Sequence, residues 1–229
     1  MLVRVGIKWS SICYSTKQRN SKERTKAKPR IQNQQKDSSN ARRDLGDNIF
    51  RKTSSSNTDK TLELAKKRAV KLGIRNIVVA SRTGSTGVKA SEIFKDFNLV
   101  VVTFVTGFEE PNIQSFLPEN RDLIARSGAN ILTATHAFGA LGRAVRKKFN
   151  AIQVDEIIAN VLRLFGQGVK VACEVACMAA DAGLIRTDED AVAIGGSGYG
   201  SDVAIIVRPS NTHTFFEMKI KEIVCKPRL

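Results

Sequence analysis

Histidine, cysteine and aromatic residues are scarce in this chain, and each shortage removes a class of function. Two histidines, His136 and His213, are too few for a histidine-built metal centre. Four cysteines, Cys13, Cys173, Cys177 and Cys225, are spaced as neither a disulfide framework nor a thiolate metal site. That usage fits a reducing, intracellular setting. Cys173 and Cys177 lie four apart, not at redox-pair spacing, and read as two small buried hydrophobes on one helix face. An aromatic content of 6% leaves little for stacking nucleic-acid bases. No run of eighteen apolar residues occurs, so no transmembrane helix and no membrane insertion are expected. No Gly-Lys-Ser/Thr completes a Walker motif, and no nucleophile–base–acid set can be assembled.

Positive charge is abundant but uneven. The formal net charge is +15, yet residues 1–43 alone hold twelve Lys or Arg against Glu23 and Asp37. The remaining 186 residues carry 25 basic and 20 acidic side chains, so the body is nearly balanced and no specific nucleic-acid partner is expected. Residues 1–20 lack any acid and mix Arg4, Lys8, Lys17 and Arg19 with Leu2, Val3, Val5, Ile7 and Trp9, which is similar to a mitochondrial presequence; an unstructured extension is the plainer alternative. Residues 21–47 are too polar to bury a core and read as disordered. The expected layout is an extension over 1–47 and a single folded body over 48–229. Its expected location is the cytoplasm, or the mitochondrial matrix if the first residues are an import signal.

In the body, Ile49-Phe50 opens a first strand. Leu62, Ala65, Ala69 and Leu72 recur at helical spacing after a capping residue, Asn57 or Thr58, and Gly73 is a natural stop. Short apolar runs at 76–80, 99–103, 130–133, 191–194 and 202–207 read as strands, and 216–224 as a last one. Helices are expected at 88–94, from Pro118 to Ile124, at 142–149, 154–165 and 167–182. Alternating strands and helices with short links argue for right-handed parallel crossovers.

Two glycine-bearing loops stand out. Gly195-Gly196-Ser197-Gly198-Tyr199-Gly200-Ser201-Asp202 separates two strands, and Ser81-Arg82-Thr83-Gly84-Ser85-Thr86-Gly87 follows a strand and enters a helix. Glycines let such loops bring backbone N–H groups to a phosphate, and a helix N-terminus favours an anion. The alternative is that the glycines merely turn the chain. Strand ends converge at the carboxyl edge of an open sheet, where Ser81, Thr83, Thr103, Thr135, His136 and Ser197 are candidates, with Arg82 and Arg143 as cations. Lys170, in the first turn of an apolar helix, either snorkels to solvent or meets a ligand phosphate. Asp202 reads as an organiser of loop amides.

The segments Val78-Val79-Ala80-Ser81, Val102-Thr103, Thr106-Gly107-Phe108, Thr135-His136-Ala137, Phe165-Gly166-Gln167-Gly168-Val169-Lys170-Val171, Met178-Ala179-Ala180-Asp181-Ala182-Gly183-Leu184, Ile194-Gly195-Gly196-Ser197-Gly198 and Lys226-Pro227-Arg228 together carry a family resemblance. From Asn57 to Arg228 the chain resembles small archaeal and bacterial proteins related to the C-terminal alpha/beta domain of pyruvate kinase. The resemblance implies an α/β fold: a three-layer α/β/α sandwich around a mixed, mostly parallel sheet. It also implies a phosphate-bearing ligand, flavin mononucleotide (FMN) first, at Ser81, Thr83, Gly84, Thr103, Gln167, Gly168, Lys170, Gly195, Gly196, Ser197 and Gly198. The catalytic barrel of pyruvate kinase is not in this sequence, so that activity is not expected. This chain departs from the pattern in carrying Tyr199 where relatives carry a loop arginine, an aromatic ring suited to stacking. The expected functions are therefore a flavin-binding protein with no assigned reaction, a flavin-dependent enzyme, a ligand-sensing module, or an oligomerising domain that assembles with copies of itself.

Overall fold

A computed structural model describes residues 48–228. The expected extension, with its presequence-like start and its disordered stretch, lies outside the described residues. Among the described residues, seven strands form one sheet in the order β1-β7-β6-β5-β2-β3-β4. In chain order these are β1 Ile49–Phe50, β2 Asn76–Ala80, β3 Asn98–Val102, β4 Asn130–Leu132, β5 Ala191–Gly195, β6 Val203–Arg208 and β7 Lys219–Pro227. Strands β5, β2, β3 and β4 run parallel to one another, whereas β6 is antiparallel to both β5 and β7. The helices are α1 Thr58–Leu72, α2 Ser85–Ile93, α3 Pro118–Arg126, α4 Leu141–Phe149, α5 Val154–Arg163 and α6 Gln167–Asp181.

The alternation of side chains along each strand divides the core into two layers. Ile77, Val79, Val101, Ile194 and Ile206 point to the face covered by Leu62, Ala65 and Ala69 of α1, with Phe94 and with Ile124 of α3. Val78, Val100, Ala193, Val203 and Ile205 point to the opposite face, packed on Val169, Ala172, Cys173, Ala176 and Ala179 of α6 and on Leu162 of α5. Helices on both faces of a mixed, mostly parallel sheet make the three-layer sandwich. Because both faces of the sheet are covered, the central strands are apolar throughout, which is why they read as uncharged runs.

Local signals explain most boundaries. Gly73 takes φ +68° and its amide, with that of Ile74, caps the last carbonyls of α1. Pro118 opens α3, where its missing N–H costs nothing. Two expectations need correction. Helix α2 starts at Ser85 rather than Val88, because Gly84 adopts φ +98° and Ser81 Oγ accepts the Gly87 N–H at 3.1 Å, so the loop winds into the helix three residues sooner. The last strand begins at Lys219, not Phe216: Thr212–Glu217 is 3-10 helix, and β7 runs on through Pro227 beside the two-residue β1. Pro227 is tolerated because it sits at the end of a strand whose outer neighbour is only a short edge. No described helix is long and apolar enough to cross a membrane.

Candidate functional site

The carboxyl ends of β2, β3 and β5 open onto a cleft of about 580 Å³. Both glycine-bearing loops reach it: Ser81, Arg82, Thr83, Ser85 and Thr86 form one side, with Gly84 behind them, and Gly196 to Gly200 form another. The first two turns of α6 supply Gln167, Lys170 and Glu174, and the loops after β3 and β4 supply Phe104, Phe108 and His136. Of the residues expected at a site, Ser81, Thr83, Thr103, Gln167, Lys170, Gly196, Ser197 and Gly198 line this cleft.

The loop before α2 is held from outside. Asn120 Nδ2 and the Leu117 N–H both donate to the Thr83 carbonyl, at 2.9 and 3.1 Å. A Cβ on Gly84 would fall 2.4 Å from Asn120 Cβ, so glycine is needed there for space as well as for its positive φ. Among the described residues, the N–H groups of Thr83, Gly84, Ser85 and Thr86 meet no acceptor. The Thr83 and Ser85 hydroxyls lie 2.9 Å apart beside them. Ser81 is buried and spends its hydroxyl on the Gly87 amide, so its part is to shape the turn. Thr103 is likewise turned inward, its hydroxyl bonding Phe104 O and Thr133 Oγ1 at 2.8 Å.

The late glycine loop is more self-contained. The Asp202 carboxylate accepts from Ser197 Oγ at 3.2 Å, as an organiser of the loop would; burial pushes its pKa up, against the hydrogen bonding from the loop. The Ser201 and Asp202 amides are also used, by Thr58 Oγ1 and Gly195 O. Gly168 and Gly195 do not line the cleft. They lie where α6 presses on the sheet: a Cβ on Gly195 would be 2.3 Å from Gly168 O, and one on Gly168 would be 2.5 Å from Val203 Cγ2. Gly198 is open, with nothing within 4 Å of a built Cβ.

Lys170 neither snorkels nor stands free. It is 5% exposed and its ammonium lies 2.5 Å from Glu174 Oε2, one helical turn on. Glu174, 5% exposed, accepts the Phe138 N–H at 3.0 Å through its other oxygen. Burial lowers the Lys170 pKa, and the Glu174 charge works against that shift. Glu174 is the one acidic side chain lining the cleft among the described residues. Sequence reasoning passed over it, although its i,i+4 spacing from Lys170 was a readable signal. Cys173 and Cys177 are buried beside this pair and their thiols are pushed up to about 12 by burial, so they stay protonated packing groups.

An aromatic wall completes the site. The Phe104, Phe108 and His136 rings lie 4.9 to 5.4 Å apart, centre to centre. Arg143 lies 4.9 Å over Phe108, and Arg82 sits 5.7 Å from Phe104 and 5.5 Å from Tyr199. Arg82 also pairs with Glu109, which is further held by Ser115 Oγ at 2.9 Å. Arg143 and Arg163 line the cleft with no carboxylate partner among the described residues.

Burial lowers the His136 pKa, with Lys170 and Arg143 adding to the effect and Glu174 opposing it. The shift favours the neutral imidazole in the folded protein. A depressed folded-state pKa contributes stability that is present above the unfolded value, about 6.5, and lost as pH falls through the folded one. His136→Asn is expected to flatten the stability profile below about pH 6.5, measured by urea titration at several pH values; an unchanged slope would place the acid sensitivity elsewhere.

The matching family is consistent with this architecture. A family model described as the pyruvate kinase alpha/beta domain matches residues 59–207, more than half of the chain and most of the sheet. The matched span runs from the start of α1 to the end of β6 and includes both loops of the cleft. The chain belongs to the family of pyruvate kinase alpha/beta domains.

Proposed function

We propose that the cleft binds a phosphate-bearing small ligand, with FMN as the first candidate. The observation that carries this reading is the row of N–H groups from Thr83 to Thr86 that meet no acceptor among the described residues, at the N-terminus of α2 where Thr83, Ser85 and Thr86 line the cleft, beside two hydroxyls. Backbone donors, a helix dipole and small hydroxyls together suit a phosphate. The residues present fit the rest of a flavin nucleotide: the volume lies within the range of small-ligand pockets, and the wall of Phe104, Phe108 and His136, with exposed Tyr199 opposite Arg82, offers ring faces. Thr83, Gly84, Ser85 and Thr86 would hold the phosphate. A bound flavin would supply electron or hydride transfer, while this chain's own residues bind and orient it.

A second reading follows from Arg143 and Arg163. Two cleft cations that meet no carboxylate among the described residues suit a ligand with a further anionic group, which a phosphorylated metabolite sensed without flavin would carry.

Titration with FMN tests the first reading. Thr83→Val with Ser85→Ala removes two hydroxyl donors and is expected to weaken FMN binding about 10- to 100-fold. Gly198→Val places a branched side chain at an exposed rim position and is expected to weaken binding with little change in melting temperature. Unchanged affinity in both folded variants would rule out this pocket. Tight binding of a phosphorylated metabolite, with none of FMN, would favour the sensing module.

A further inference from the structure

Helix α5 displays a stripe that the described residues leave uncovered. Val154, Ile157, Val161 and Leu164 are 54–74% exposed, although Ala159 and Leu162 of the same segment are buried in the core. Their 3-4-3 spacing places all four within one arc of the helix, the arrangement of a helix-pairing seam. Phe165 and Ile152, which flank the helix in sequence, are also 52% and 63% exposed. No charged residue falls within the stripe itself: Asp155, Glu156 and Arg163 lie on the remaining sides of the helix. Arg146 of α4 pairs with Glu156, so α4 covers a different side of α5 from the stripe.

We propose that this stripe is the interface with a second copy of the chain, α5 packing antiparallel on α5 about a two-fold axis. The spacing is self-complementary under that operation. Val154 meets Leu164 of the second copy, Ile157 meets its Val161, and the reverse contacts follow by symmetry. The antiparallel arrangement also sets the N-terminus of each helix beside the C-terminus of the other, so the two dipoles oppose favourably. The area supports a homodimer. Six side chains exposed to this degree present roughly 500–600 Å² of apolar surface, at the upper end of what a monomer leaves bare. A standard half-interface of about 800 Å² that is about 65% apolar, as homodimer interfaces are, contains a similar amount. A transient partner would be expected to meet a more charged surface.

Sedimentation velocity of the full chain at micromolar concentration tests this. The expected mass is twice the 25.1 kDa of one chain. Val161→Glu with Leu164→Glu is expected to weaken self-association at least 100-fold while circular dichroism shows a folded monomer, since both positions face outward, and to lower the melting temperature only by the stabilisation that assembly supplies. Phe216→Glu, 85% exposed and away from α5, is expected to leave the dimer intact. A monomeric wild-type chain would overturn the proposal; so would an assembly unaffected by the α5 substitutions. Should the double variant fold poorly, the single exposed change Ile157→Lys supplies the same comparison.

Discussion

Replacing Gly195 by valine is expected to destabilise the fold by about 3 kcal/mol or more, a fall in melting temperature of about 6–12 °C. Gly195 ends β5 at the point where the first turn of α6 crosses the sheet. A Cβ there would lie 2.3 Å from the Gly168 carbonyl oxygen and 2.8 Å from the Ala172 amide nitrogen. Both atoms are backbone, so no side-chain rotation relieves the clash, and α6 must lift from the sheet. Lifting α6 also displaces Lys170 and Glu174 at the cleft. By contrast, Gly198→Ala adds a methyl to open space and is expected to change stability by no more than about 0.5 kcal/mol. Thermal denaturation of the two variants distinguishes a glycine kept for packing from one kept free. A Gly195→Val protein melting within 2 °C of the parent, a margin set by the same scaling, would contradict this packing account.

The second large effect concerns the buried ion pair. Lys170→Met removes the cation and leaves the Glu174 carboxylate buried without a counter-charge, which is expected to cost about 3–5 kcal/mol. Adding Glu174→Gln to that variant removes the stranded charge while keeping an oxygen for the Phe138 N–H. The double variant is expected to recover most of the loss, because a buried pair contributes little beyond compensating its own desolvation. Denaturant unfolding of the parent, both single variants and the double variant measures the coupling directly. Additive effects would show that the two side chains are solvated independently and that the pair is not as buried as its 6% and 7% side-chain exposure indicates.

How much of this was legible in the sequence depended on whether the signal was local. The apolar runs of β2, β3, β5 and β6 and the stop at Gly73 announced themselves, because burial on both faces and a left-handed cap each impose a residue type. The start of α2 did not, since it depends on Ser81 reaching a Gly87 amide through a folded turn. Phe216 looked like strand, although its segment is 3-10 helix that closes the turn into β7. Gly168 and Gly195 show a subtler limit. Glycine reports that something approaches the backbone, but not what: here it is the protein's own helix and strand rather than a ligand. The convergence of the two loops was readable from the parallel crossover pattern. The Phe104, Phe108 and His136 wall was not, because it assembles from separate loops with no shared motif. Lys170 is legible as a lone cation in an apolar turn, and the i,i+4 position of Glu174 makes its partner legible too.

The central claim is that the Thr83–Thr86 turn holds a phosphate within the cleft. Native mass spectrometry of the protein isolated from its own cells, beside the Thr83→Val, Ser85→Ala variant isolated identically, tests it most directly. The account predicts a retained phosphate-bearing species on the parent protein, with FMN's mass and absorbance on the flavin reading, and its loss from the folded variant. A ligand held equally by both proteins, or a parent protein that is bare and takes up neither FMN nor any phosphorylated metabolite when these are added, would contradict it.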